Sequence, residues 1–70
     1  MVRKYSITLH GHRTSFSLED EFHEELRRLA ATRGHSLAAL IAEVDESRSE
    51  EDNLSSALRV FVLKAVRPEI

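Results

Sequence analysis

The stretch from Arg13 to Leu40 constrains this chain more than any other: an alternating strand, an amphipathic helix, a glycine break and a second capped helix. In Arg13-Thr14-Ser15-Phe16-Ser17-Leu18 alternation puts Phe16 and Leu18 on one face and Arg13, Ser15 and Ser17 on the other. A lone strand leaves its backbone N–H and C=O groups unpaired, and no second matching strand follows it. Pairing with the same strand of a second copy is the natural solution. Such a ribbon shows one Arg and two Ser, twice over, to its surroundings.

Seventy residues predict a single domain, 1–70, and a domain of that size buries only about 60% of its unfolded surface. With no cysteine, neither a disulfide framework nor a Cys-ligated zinc can staple it. Oligomerisation is the staple left, so the expectation is an obligate homodimer in the cytoplasm. The first ten residues lack a long apolar core, which predicts neither a signal peptide nor a membrane span. The net charge of −2 is unlike the strongly basic balance of a generic nucleic-acid binder. Its distribution is uneven: Arg3, Lys4 and Arg13 all precede the first acid, Glu19, and the remainder carries seven bases against twelve acids. A cationic arm on an acidic body can hold an anion locally while the body discourages non-specific sticking.

From Glu19 the pattern turns helical. Leu18, Phe22, Leu26, Leu29, Ala30 and Arg33 recur at three- and four-residue steps and predict helix 1 over about 19–33. Glu24 and Arg28 form an i,i+4 pair on its wet side, and Arg33 can lay its stem along the apolar stripe. Gly34 stops this helix as the left-handed residue just past its end. Ser36 caps helix 2, about 36–48, whose buried stripe is Leu37, Leu40, Ile41 and Val44. After the acidic connection Ser49-Glu50-Glu51-Asp52, Asn53 caps helix 3, about 54–66, and Pro68 follows it. Leu54, Ala57, Leu58, Phe61 and Ala65 make one face of helix 3, and Val60 and Leu63 fall off it. That second apolar edge implies a further contact.

The β arm, residues 3–18, holds a conflict of parity. Tyr5, Ile7 and Leu9 are apolar on odd positions, Phe16 and Leu18 on even ones, so one uninterrupted strand sends them to opposite faces. Gly11 resolves this either as a bulge or as a tight turn. A two-residue turn at His10-Gly11 sets Leu9 against His12, Ile7 against Thr14 and Tyr5 against Phe16, with every apolar residue on one face. His is not the preferred residue before Gly in such a turn.

Strand, helix, Gly34-His35-Ser36 and helix together resemble the ribbon-helix-helix fold of the Arc and methionine repressors. The resemblance is carried by Arg13 to Leu18, by the Leu26/Leu29 helix and by Gly34-His35-Ser36-Leu37-Ala38-Ala39-Leu40-Ile41, roughly residues 13–45. A wider string, Gly11 to Glu19 with Asn53-Leu54-Ser55-Ser56-Ala57-Leu58-Arg59, looks like a group of short bacterial proteins described only as ribbon-helix-helix domain proteins, over about 6–66. In that family the paired strands enter the DNA major groove and alternate outward side chains touch base edges, which implies Arg13, Ser15 and Ser17 here. Arg can bond guanine O6 and N7 together and Ser can donate or accept, so Arg13 carries most of the discrimination. The resemblance also places the start of helix 2, Ser36 and Leu37, on a DNA phosphate, where free helix amides attract anions. Arg3 and Lys4 are further phosphate candidates. If the Gly11 hairpin forms, an intermolecular ribbon gains flanking strands, and four strands are too wide for a groove that admits two.

Enzyme readings find no footing. His10 and His12 could share a metal, but no carboxylate or Cys lies near them in sequence, and His23-Glu24-Glu25 lacks the second helical His of a zincin. There is no Gly-rich phosphate loop, and no Ser has an identifiable base partner. No cofactor, metal or catalytic residue is expected. The expected fold is therefore an α+β, mainly helical, intertwined homodimer with an intermolecular antiparallel ribbon and an added C-terminal helix. Phe16, Leu18, Leu40, Ile41 and Val44 are the expected dimer core, and Phe22, Leu26, Leu29, Leu37, Leu58 and Phe61 are also expected inside. The expected function is sequence-specific binding of double-stranded DNA by a small dimeric transcriptional regulator. The alternative is a protein-interaction module that keeps the fold without groove contact.

Overall fold

The computed structural model describes residues 1–68. Two antiparallel strands, β1 (Val2–Leu9) and β2 (His12–Glu19), lead into three helices, α1 (Asp20–Thr32), α2 (Leu37–Ser47) and α3 (Leu54–Val66). Within the chain, the partner of β2 is thus β1. The two-residue turn His10-Gly11 joins them with φ of +51° and +81°, both in the left-handed region that the tight hairpin twist demands. The register runs Leu9↔His12, Ile7↔Thr14, Tyr5↔Phe16 and Arg3↔Leu18, which settles the parity conflict in favour of the turn.

Each helix end has its local cause. Ser36 Oγ accepts from the Ala39 N–H at 3.1 Å, and Asn53 Oδ1 accepts from the Ser56 N–H at 2.7 Å. Gly34, at φ +71°, ends α1: its N–H donates to the Ala31 carbonyl and the His35 N–H reaches back to the Ala30 carbonyl at 2.9 Å. Arg28 pairs with Glu25 at 2.6 Å rather than with Glu24, the i,i+3 neighbour winning over the i,i+4 one.

The helices cover one face of the hairpin. Leu9, Phe16 and Leu18 from the strands meet Leu26, Leu29 and Ala30 of α1, Leu40, Ile41 and Val44 of α2, and Leu54, Leu58 and Val62 of α3. All five residues assigned to a dimer core, Phe16, Leu18, Leu40, Ile41 and Val44, are buried inside this single chain. Within the one copy described, the β1 strand and α3 help to cover them. Phe22, Leu37 and Phe61 are only half-buried, packed at the margin of the core. In α3 the buried stripe is Leu54, Leu58 and Val62, and Ala65 is exposed. Leu54 and Leu58 keep their expected places, and Val62 replaces Phe61 and Ala65 at the far end, where Ser55 and Arg59 of α3 hold the Ser17 main chain of β2.

Candidate nucleic-acid interface

Because the turn restores a common apolar face, the opposite face of the hairpin is wholly polar along its middle. On β1 it presents Lys4, Ser6 and Thr8; on β2 it presents Arg13, Ser15 and Ser17. The cross-strand pairs are Lys4↔Ser17, Ser6↔Ser15 and Thr8↔Arg13. All are exposed except Ser17, which is half-buried. Lys4, Ser6, Arg13, Thr14 and Ser15 line a shallow depression on this side. Four strand steps separate the levels of Lys4 and Arg13, about 13 Å along the ribbon, with hydroxyls between them. The arrangement is two cations bracketing a field of donors and acceptors, with no carboxylate among the six.

The three residues expected to touch bases therefore do share one outward face. Ser6 and Thr8 stand beside them and were not singled out by sequence reasoning. The signal was present, since the Gly11 turn that aligns Tyr5 with Phe16 must also align Ser6 with Ser15. Arg3 and Lys4 part company. Lys4 is on the polar face, whereas Arg3 lies opposite Leu18 and its Nε donates to Asp20 Oδ1 at 2.8 Å, which spends its charge at the start of α1.

Ser36 and Leu37 are not brought to this face. They open α2, which packs on the apolar side of the sheet, and the Ser36 hydroxyl oxygen is already engaged as a cap. The other end of α2 meets the hairpin turn, where His10 Nε2 lies 3.3 Å from Glu46 Oε1. The His10–Glu46 contact is a pair only, and among the described residues no group of three or more His, Asp or Glu could hold a metal ion. Among the described residues, no helix is long and apolar enough to cross a membrane.

One further device shapes the site. The Ser17 N–H donates to Ser55 Oγ at 2.8 Å, and Arg59 Nη2 donates to the Ser17 carbonyl at 3.1 Å. Arg59 Nε also donates to Glu19 Oε1 at 3.0 Å. The Glu19 carboxyl is held below its ordinary value, first by a backbone hydrogen bond and then by this Arg59 contact. Both main-chain groups of Ser17 thus point away from β1 and into α3. Alternation along an antiparallel ladder gives Ser15 and Arg13 the same outward main-chain direction. The start of α3 closes the free edge of β2 at Ser17 and leaves that edge open toward the turn.

On the inner face, Tyr5 stacks on Phe16 at 5.4 Å and on His23 of α1 at 4.1 Å, nearly parallel to the latter. Burial, then the nearby Arg27, pushes the His23 imidazole pKa down. This aromatic stack ties β1 to α1 beneath the polar face.

Comparison with known families returns a match: the ribbon-helix-helix domain, over residues 2–66. The chain belongs to the ribbon-helix-helix domain family. Ribbon-helix-helix domains are generally DNA-binding transcription regulators, not enzymes. The match spans β1 through α3, so the hairpin and the third helix lie within the matched region. Comparison with curated proteins and with solved structures returns no match.

Proposed function

We propose that this ribbon-helix-helix chain is a transcription regulator that reads double-stranded DNA with the outward face of its hairpin, working as a dimer on paired half-sites. The observation that carries the reading is the unbroken polar face of Lys4, Ser6, Thr8, Arg13, Ser15 and Ser17 on a ribbon of only two strands. A major groove about 12 Å wide admits a ribbon of that width. Here the paired strands are β1 and β2 of one chain, rather than one strand from each of two chains.

Arg13 is the chief discriminator, bonding guanine O6 and N7 together, and Ser15, Ser6 and Thr8 bond neighbouring base edges. Lys4 neutralises a phosphate at the far end of the ribbon. The acidic body, which gives the chain its net charge of −2, limits the grip on random sequence.

Titration against a genomic fragment pool at two salt concentrations tests this. Specific retention that weakens with salt is expected. Arg13→Ala should lower affinity for the selected site by about 1–3 kcal/mol and relax its sequence preference. Lys4→Ala should weaken all sequences alike and flatten the salt dependence by about one phosphate contact. No retention at low salt, or retention indifferent to Arg13, overturns the reading.

A further inference from the structure

The start of α3 takes hold of the main chain of β2 from outside the sheet. Ser55 Oγ accepts from the Ser17 N–H at 2.8 Å, and Arg59 bridges the Ser17 carbonyl at 3.1 Å and Glu19 Oε1 at 3.0 Å. These bonds do not answer a burial problem. The Arg59 and Glu19 side chains are 35% and 37% exposed, so water is at hand for both, and a pair this exposed adds little to stability. What the bonds determine is a place and an angle. Ser17 stands on the polar face opposite Lys4, at the end of that face nearest the helices.

We propose that Ser55 and Arg59 are positioning residues for DNA reading: they set the angle of the ribbon on α3, and through it the place where Arg13 meets the bases. The proposal rests on the polar face being the DNA contact. Two-stranded ribbons twist more strongly than wide sheets, so presenting one face to a groove calls for an outside hold. Phe16 and Leu18 pack into the core and hold the depth of β2, but apolar contact has no direction. The two bonds to Ser17 are directional. At the turn end the polar contact with α2 is His10 with Glu46, 3.3 Å long and exposed on both sides. Arg13 lies about 13 Å along the strand from Ser17, so a tilt of about 10° at the clasp carries it about 2 Å sideways. Two parallel hydrogen bonds to one guanine do not survive a shift of that size. Arg59 itself has Nε and Nη2 both engaged within the chain, which assigns it to holding the strand rather than to a phosphate.

Binding titrations with the site selected by the wild-type chain and with a scrambled duplex of equal length, each at two salt concentrations, test this. Ser55→Ala changes no charge, and Arg59→Met keeps much of the stem. Each should weaken binding to the selected site about fivefold, the worth of one net hydrogen bond, with scrambled-duplex binding and the salt slope unchanged. Ser55→Thr keeps the accepting hydroxyl and should behave as wild type. Val62→Ala thins the core side of α3 without touching Ser17. It should lower stability yet leave discrimination between the duplexes unaltered, at a temperature where every variant is folded. Equal loss of discrimination in Val62→Ala would make the role one of general stability. Weakening of both duplexes in Arg59→Met, with a flatter salt slope, would make Arg59 a phosphate contact. Either result overturns the positioning role, as does a selected site bound equally well by Ser55→Ala and Arg59→Met. In that last case, wild-type binding that still falls with Arg13→Ala leaves the DNA reading standing, whereas a wild type that selects no site overturns both.

Discussion

His10 is the residue under most local tension. It occupies φ +51°, a region that an L-residue enters at a cost of about 1–2 kcal/mol and that Asn tolerates better. Its contact with Glu46 is long, 3.3 Å, and both side chains are more than half exposed, so little is lost with it. His10→Asn should raise stability by about 0.5–1 kcal/mol, read as a higher urea midpoint at unchanged slope. His23 carries a different kind of tension. Because its imidazole pKa is lowered in the folded chain, the unfolded chain binds more protons below its ordinary value of about 6.5. Its contribution is complete above that value and fades as pH falls through the window beneath it. The lowered Glu19 carboxyl acts in the same direction at more acid pH. Stability should therefore fall on acidification below about pH 6.5, and His23→Gln should flatten the upper part of that slope, followed by thermal melts across the range. The caps at Ser36, Gly34 and Asn53 were legible because each is a local event, decided within four residues. The Tyr5–His23 stack was not, since nothing nearer than the tertiary fold puts those rings together.

At the scale of elements, α3 is the piece whose role the sequence least disclosed. Its periodicity and cap predict a helix from residue 54, yet the stripe read from Phe61 and Ala65 is turned by one step in favour of Val62. Three- and four-residue spacings fit both choices, and the winner was decided by β2, some forty residues away, through Ser55 and Arg59. The same contacts yield a measurable consequence. The Ser17 amide should exchange slowly with solvent, and Ser55→Ala should speed it by up to about tenfold, the worth of one net hydrogen bond. Exchange rates from nuclear magnetic resonance give the answer directly. The hairpin lies at the opposite extreme. Its register followed from demanding one face for Tyr5, Ile7, Leu9, Phe16 and Leu18, and a single glycine permitted it.

At the scale of the whole molecule, the residues expected in an intertwined core are already buried within one chain. Composition pointed to oligomerisation as the staple because the chain is small and has no cysteine; the Gly11 hairpin adds a second strand to the sheet within the chain. An obligate dimer has an unfolding midpoint that climbs with protein concentration. For this chain, whose described core closes within one copy, the urea midpoint should change little with protein concentration, read from urea melts at two concentrations about tenfold apart. The candidate site was half legible for the same reason. Arg13, Ser15 and Ser17 declared themselves by alternation, whereas the fates of Arg3, Ser36 and Leu37 turned on tertiary placement.

The grip of Ser55 and Arg59 on Ser17 has a bearing on how this chain avoids its own kind. An unpaired strand border is a template for indiscriminate stacking into fibrils, and soluble sheets guard such borders with charge, bulges or cover. Here the guard is a helix that follows the strand some forty residues later in the chain. Until residue 54 and its successors emerge, the border of β2 stands bare, so a nascent or truncated chain ending in the acidic loop is the form most prone to aggregate. The negative charges of that loop then serve as the interim protection, repelling like chains until the helix takes over.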